Sequence, residues 1–310
     1  MSISKIKSVF KNIANCDTLS LQLLKINNSK KDGTTYIGRE IALSPKDALT
    51  KFLTEISDRY CSQEKGLEKM FESVTDYDGS TDDKTIYKLA TNDKLISTEY
   101  QSFVEAIGNP DSEVDPLEFS PQAYLLKGVI SICGEKLPIK MISMQNPVTS
   151  LKHKFWCVAN GTFTEISDKV ISLRTTIDVV IIEKTVYMLT LAGENLFNME
   201  RAYKSVCEKQ ITKITDSNII NDAEAFSSIA SCGHNPRKFV SFNESHLQEL
   251  KNTNSRKKMS KKFSIPLDGD KFDMSQPGAA DKLVKLLCNR GMVDPFDDKP
   301  MEVSSSKKWE

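Results

Sequence analysis

Between Ala123 and Leu191 the chain offers four strand-length apolar runs: "AYLLKGVISIC", "KLPIKMISM", "HKFWCVANGTF" and "IDVVIIEKTVYMLTL". They alternate with polar residues or run apolar, and Gly134, Asn160 and Gly161 supply turns between them. Short connections make neighbouring strands antiparallel, because parallel neighbours need a longer crossover. A mostly antiparallel sheet is the strongest constraint on the fold.

Ahead of these runs, "LSLQLLKIN" (Leu19 to Asn27) and "TTYIGREIAL" (Thr34 to Leu43) flank the polar "NSKKDG", which predicts a β-hairpin. A helix follows in "SPKDALTKFLTEISDRY", with Ser44 as N-cap and Pro45 at its first position. Ala48, Leu49, Phe52, Leu53 and Ile56 lay one apolar stripe along it. "GLEKMFESV" extends the helical signal, "IYKLA" predicts a short strand, and "STEYQSFVEAIG" a helix from Ser97 to Gly108. The acidic, proline-bearing "NPDSEVDP" marks a boundary, giving an N-terminal α+β domain over 1–115 and a second domain over 116–310. Helical patterns return after the sheet in "NLFNMERAYKSVCEKQI", "DAEAFSSIAS", "SHLQELKN" and "AADKLVKLLCNRG". The class is α+β: a hairpin-helix N-terminal part, then a mostly antiparallel sheet with C-terminal helices.

A chain of 310 residues, 39% hydrophobic and 27% charged, can build a sizeable core of its own. No run approaches the roughly 18 apolar residues of a membrane span, and the lysine-interrupted N-terminus lacks a secretory h-region. The expected location is the cytoplasm. Seven cysteines without a C-x-x-C pair fit reduced thiols, and three histidines show no zinc-ligand spacing.

No formal net charge remains at pH 7, yet the charges are unevenly placed. Glu55 to Glu118 holds sixteen acids against six bases. Between Cys232 and Lys262 lie Arg237, Lys238, Lys251, Arg256, Lys257, Lys258, Lys261 and Lys262, opposed only by Glu244 and Glu249. Dense Lys and Arg without base-reading side chains suit phosphate-backbone contact. We expect residues 251–262 to form a mobile basic loop, solvated or settled on a polyanion. In "RKFVSF" the alternation predicts a strand entrance, with Phe239 inward and Arg237 and Lys238 outward.

Catalytic signatures are sparse. "DYDGSTDD" places its glycine and acids off the EF-hand spacing and reads as a solvated acidic turn. Walker, dinucleotide and nucleophile-elbow motifs are missing from the sequence, so no cofactor and no small-molecule substrate is indicated. A metal-dependent nuclease with a dispersed site is the alternative. Its candidate residues are Asp82 with Lys84 in a polar turn, or Asp178, Glu183 and Lys184 on one strand, where Glu183 and Lys184 would face opposite ways. A third reading sets the basic segment against anionic lipid or an acidic protein surface.

Several segments together carry a family likeness: "IDVVIIEKTVYML", "GENLFNMERAYKSVC", "SCGHNPRKFVSFN", "KKFSIPLDGDKF" and "KLVKLLCNRGMVDPFDDKPMEVSSSKKW". The chain resembles the KwaB family, the soluble components of bacterial Kiwa anti-phage systems. The resemblance covers the C-terminal two-thirds best and includes no catalytic signature. It implies a cytoplasmic, DNA-binding homodimer that acts on phage DNA or its expression. A KwaA-like multi-spanning membrane protein would be its partner and would recruit it to the inner face of the cell membrane.

Overall fold

The computed structural model describes residues 2–29, 33–41, 46–110, 120–132, 134–145, 155–159, 162–166 and 172–304. They fall into two compact units, Met1–Asp76 with Asp83–Asn198, and Tyr77–Asp82 with Met199–Glu310. The partition does not follow the expected division at 115/116, since strands from both sides of that point share one sheet.

In the first unit the chain runs α1 (Ile3–Asn12), β1 (Asp17–Ser29), β2 (Gly33–Ile41), α2 (Lys46–Cys61), α3 (Leu67–Met70), β3 (Ser73–Asp76), β4 (Thr85–Ala90) and α4 (Ser97–Gly108). It continues through β5 (Ala123–Ile132), β6 (Glu135–Ser143), β7 (Phe155–Ala159), β8 (Thr162–Ile166), β9 (Val179–Ile182), β10 (Thr185–Met188) and α5 (Ala192–Leu196). Eight strands form one sheet in the order β2-β1-β5-β6-β9-β10-β4-β3. Only the β3–β4 pair in it is parallel. The hairpin β7–β8 stands apart from that sheet.

Period-2 alternation decides what each sheet face buries. Leu21, Leu23, Leu126, Met141, Val180 and Tyr187 meet the apolar stripes of α1 and α2, where Phe10 stacks on Tyr60 at 4.1 Å. The Tyr60 hydroxyl donates to the Ile177 carbonyl and accepts from its N–H, at 3.1 and 2.7 Å. Elsewhere in the unit, Phe103 of α4 packs edge-on against Tyr36 and Phe197, and the Tyr36 hydroxyl donates to the Leu196 carbonyl at 2.6 Å.

Two expectations change here. "IDVVIIEKTVYMLTL" is two strands, because Glu183 takes a left-handed φ of 52° and Ile182 pairs with Thr185 across the turn. Helical signal in "GLEKMFESV" lasts four residues before the chain extends into β3. The expected cap at Ser44 and Pro45, and the "NPDSEVDP" boundary beyond Pro110, lie outside the described residues.

The second unit contains α6 (Met199–Asp216), α7 (Ala223–Ala230), α8 (Asn235–Lys238), α9 (Glu244–Leu250) and α10 (Thr253–Phe263). Then come β11 (Leu267–Asp268), β12 (Lys271–Phe272), α11 (Ala279–Leu287), β13 (Gly291–Val293) and β14 (Pro300–Glu302). Its core gathers Ile211, Ile214, Phe226, Phe239, Leu247, Phe272, Leu283 and Leu287. The expected strand in "RKFVSF" is helical instead: α8 runs into a single 3-10 turn over Phe239–Ser241. Phe239 is buried as expected, but it stacks on Phe242 at 6.2 Å, a neighbour at helical spacing.

Residues 77–82 belong to this second unit although both flanks belong to the first. The turn expected to be solvated is docked. Gly79 (φ +81°) is buried against the Arg237 backbone, where a Cβ would come within 2.3 Å of the Arg237 oxygen. Arg290, 3% exposed, donates to the Ser80 hydroxyl at 2.9 Å and the Asp78 carbonyl at 2.7 Å, and pairs with the Asp78 carboxylate at 3.6 Å.

Candidate nucleic-acid interface

The basic segment is a helix, not a loop. Asn252 caps α10, its side-chain oxygen accepting from the N–H groups of Asn254 (2.8 Å) and Ser255 (3.3 Å). Ser264, in the left-handed region with φ 52°, ends it. At 3.6 residues per turn, Arg256, Met259, Ser260 and Phe263 fall on one side. Asn254, Lys257, Lys258, Lys261 and Lys262 fall within an arc of about 140° on the other. The burial pattern agrees: Arg256 is buried, Met259, Ser260 and Phe263 are half-buried, and the four lysines are exposed.

Arg256 is the residue that docks this helix. Its Nε donates to the Asp270 carbonyl at 2.6 Å, Nη1 to the carbonyls of Leu250 and Lys251 at 2.8 and 2.9 Å, and Nη2 to the Thr253 hydroxyl at 3.0 Å. Two of these acceptors sit at the end of α9, where a cation also meets the negative end of the helix dipole. With its donors turned inward, Arg256 sets the lysine face outward. Lys257 pairs with Asp270 at 3.0 Å, but both side chains are more than half exposed, so water screens the pair.

The other basic residues lie elsewhere in the unit. Lys251 is exposed at the end of α9, two residues before α10 begins. Arg237 is half-buried on α8, its guanidinium 5.5 Å from the Tyr203 ring centroid. Lys238 is 19% exposed and sits between Asp281 (3.6 Å) and Glu302 (3.5 Å), which Lys285 also contacts, at 2.6 and 2.9 Å. Burial opposes ionisation of Asp281 and Glu302, yet the hydrogen bonds from Lys285 and the Lys238 charge hold both below the usual carboxylate range. The geometry thus groups Lys257, Lys258, Lys261 and Lys262 on one helix face, while Lys238 and Arg256 are committed to partners within the fold. The signal for this was present in the sequence. Asn252 has cap chemistry, and Arg256, Met259 and Phe263 follow i, i+3, i+7.

Among the described residues, no group of three or more His, Cys, Asp or Glu is placed to hold a metal ion. Asp178, one of the candidate nuclease acids, is 3% exposed and accepts hydrogen bonds from the Met144 N–H (2.7 Å), Arg174 Nη2 (2.8 Å) and the Thr190 hydroxyl (2.6 Å). It ties the β6 end to the strand pair β9–β10. Glu183 sits in the turn of that pair and does not share a strand face with Asp178. Asp178→Asn should therefore lower stability by about 1–3 kcal/mol, because an amide hydrogen faces donors that need an acceptor. Urea unfolding measures this.

A model of the Kiwa protein KwaB-like family matches residues 139–293, half of the chain. The chain belongs to the KwaB-like family. It is accordingly a component of Kiwa anti-phage defence. The match begins in β6, spans β9, β10 and helices α5 to α11, and ends at β13, so α10 and its lysines lie inside it. Comparison with curated proteins and with solved structures gives no match. Among the described residues no helix is long and apolar enough to cross a membrane.

Proposed function

We propose that the chain is the DNA-binding effector of a Kiwa system, holding duplex DNA non-specifically through the lysine face of α10. In the same reading it acts as a homodimer with a KwaA-like membrane protein, which recruits it to the inner face of the membrane, and it blocks phage replication or gene expression. The observation that carries the DNA part is the grouping of Lys257, Lys258, Lys261 and Lys262 on the exposed face of a capped helix, with Lys251 exposed at the end of the helix before it. Flexible ammonium groups neutralise phosphates without selecting bases, since bidentate readout is the province of Arg, Asn and Gln.

The test is fluorescence anisotropy on two unrelated duplexes, comparing the native chain with a variant carrying alanine at 257, 258, 261 and 262. Each phosphate contact contributes about −0.9 to the log–log salt slope. Four lost contacts make the slope shallower by about 3.6, so between 50 and 200 mM salt the native chain should lose about 150-fold more affinity than the variant. Both duplexes should respond alike. Unchanged affinity and slope in a folded variant would remove α10 from the interface. Plasmid incubated with magnesium or manganese should be retarded on a gel and not cut. Cleavage would favour the nuclease reading.

The membrane partner is assigned a role in defence and not in folding. Each unit has a buried apolar core of its own. Expression without the partner should give protein that needs no detergent and melts cooperatively. Recovery only in detergent with a partner would overturn that.

A further inference from the structure

Lys140 of β6 is half-buried, and among the described residues its ammonium group meets no acid and no hydrogen-bond acceptor. Its surroundings follow from the register of the sheet. Lys140 stands opposite Lys127 of β5 on one side and Ile181 of β9 on the other. Directly opposed residues share a face, with Cβ atoms about 5 Å apart. Ile181 is 1% exposed, so the Lys140 stem has apolar surface on one flank and a second cation on the other.

Lys127 is anchored. Its Nζ donates to the Ile107 carbonyl at 3.0 Å, near the C-terminal end of α4, where the helix dipole favours positive charge. Gln22 Nε2 donates to the same carbonyl at 3.2 Å, which occupies both of its lone pairs and leaves none for Lys140. Counter-charge is missing from the strands as well. β5 and β9 carry no acid, and Glu135 of β6, an odd number of residues from Lys140, points to the opposite face. Asp17 of β1 and Glu105 of α4 are exposed and make no ion pair with either lysine. Along the shared face, Leu125 and Ile142 are buried at one end, whereas Ser131, Lys136 and Pro138 are exposed at the other. Small reagents can therefore reach the amine from the β5–β6 turn.

Burial and the Lys127 charge both hold the Lys140 ammonium below the usual lysine range, which increases the share of free amine. A lysine in apolar surroundings beside another cation is an activated nucleophile, and the neighbouring charge also draws in an anionic reagent. We propose that Lys140 is an acylation site of this chain and takes its acyl group from an acyl phosphate. With acetyl phosphate, the Lys140 nitrogen attacks the carbonyl carbon. A C–N bond forms, the bond from that carbon to the phosphate oxygen breaks, and inorganic phosphate leaves with the electron pair. The nitrogen releases its proton to solvent, and no oxidant or reductant is needed. Lys127 stays charged and faces the departing phosphate. The product amide is neutral, so like charges no longer oppose each other across β5 and β6, and the first unit gains stability.

The site lies in the first unit and does not depend on the DNA reading of α10. The full chain treated with acetyl phosphate, followed lysine by lysine by peptide mass spectrometry, tests it. Lys140 should be acetylated several-fold faster than Lys69, an exposed lysine of α3. Added salt should reduce that preference, as screening of the attraction to the reagent requires. Lys127→Met keeps a stem of similar length, removes the neighbouring charge, and should slow Lys140 several-fold. Lys140→Gln, which resembles the acetylated side chain, should melt at a higher temperature than the native chain. A Lys140 that reacts no faster than Lys69 overturns the proposal. So does a Lys140→Gln chain that melts lower, because the ammonium would then be serving an acceptor within the fold. A folded Lys127→Met chain with an unchanged Lys140 rate, together with a preference that ignores salt, overturns the part assigned to Lys127.

Discussion

Arg290→Met should destabilise the second unit by about 3–5 kcal/mol, the range for removing one partner from a buried ionic contact. The guanidinium is 3% exposed and reaches the Asp78 carboxylate and carbonyl, the Ser80 hydroxyl and the Ser304 carbonyl. Methionine fills much of the volume but donates nothing. The Asp78 carboxylate, 18% exposed, would lose the Arg290 charge, and the Ser80 hydroxyl the donor that Arg290 supplies. Arg290→Lys should recover only part of the loss, since one ammonium cannot reach acceptors that a planar fork reaches together. Asp78→Ala should cost less in the Arg290→Met background than in the native chain, because the ion-pair part is then already lost and only the bonds that Asp78 accepts from Ser80 remain to be removed. Hydrogen exchange should rise first at the amides of residues 77–82. A loss below about 1 kcal/mol by urea unfolding would show the turn to be held by other contacts.

That turn also shows where sequence reasoning reaches its limit. The regular elements were legible wherever periodicity ran long enough. The hairpin β1–β2, the strands β4, β5 and β6, the helix α4 and the apolar stripes of α2 and α11 follow from spacing alone. Short segments were ambiguous for a physical reason. Six residues of "RKFVSF" alternate well enough for a strand, yet Phe239 and Phe242 are also three apart, and the preceding Pro236 suits the start of a helix. "DYDGSTDD" looks solvated because its acids outnumber everything near them in sequence. The residue that buries it, Arg290, is 212 positions away from Asp78, and no local pattern reports such a partner.

The candidate site was legible as composition and obscure as structure. Crowded lysines identify a basic segment, and they also suggest a loop, because so few apolar residues are present. In α10 the apolar side is narrow, and its central position is taken by a buried arginine. Reading Arg256 as one more surface cation hides the helix. Reading it as the docking residue makes the remaining lysines a single outward face.

Arg256→Met therefore separates structure from binding at this site. The substitution keeps a buried stem on the same side of α10 as Met259 and Phe263 and removes all donors. Four acceptors lose their partner: the carbonyls of Leu250, Lys251 and Asp270 and the Thr253 hydroxyl. Those at the rim recover water, so the expected cost is about 2–4 kcal/mol. Lys258→Met, one helical step away in sequence and on the exposed side, should stay within about 0.5 kcal/mol. The binding results should run the opposite way at first sight. Lys258→Met should take roughly one unit from the salt slope with the fold intact. Arg256→Met should keep the slope at temperatures well below its melting point, because no phosphate contact has been removed, and should lose it only as α10 detaches. Measured together across temperature, the two variants distinguish a helix that binds from a helix that is merely basic. If Arg256→Met flattens the slope while circular dichroism shows α10 and its unit fully folded, the arginine touches DNA itself and its inward hydrogen bonds do not persist in the complex.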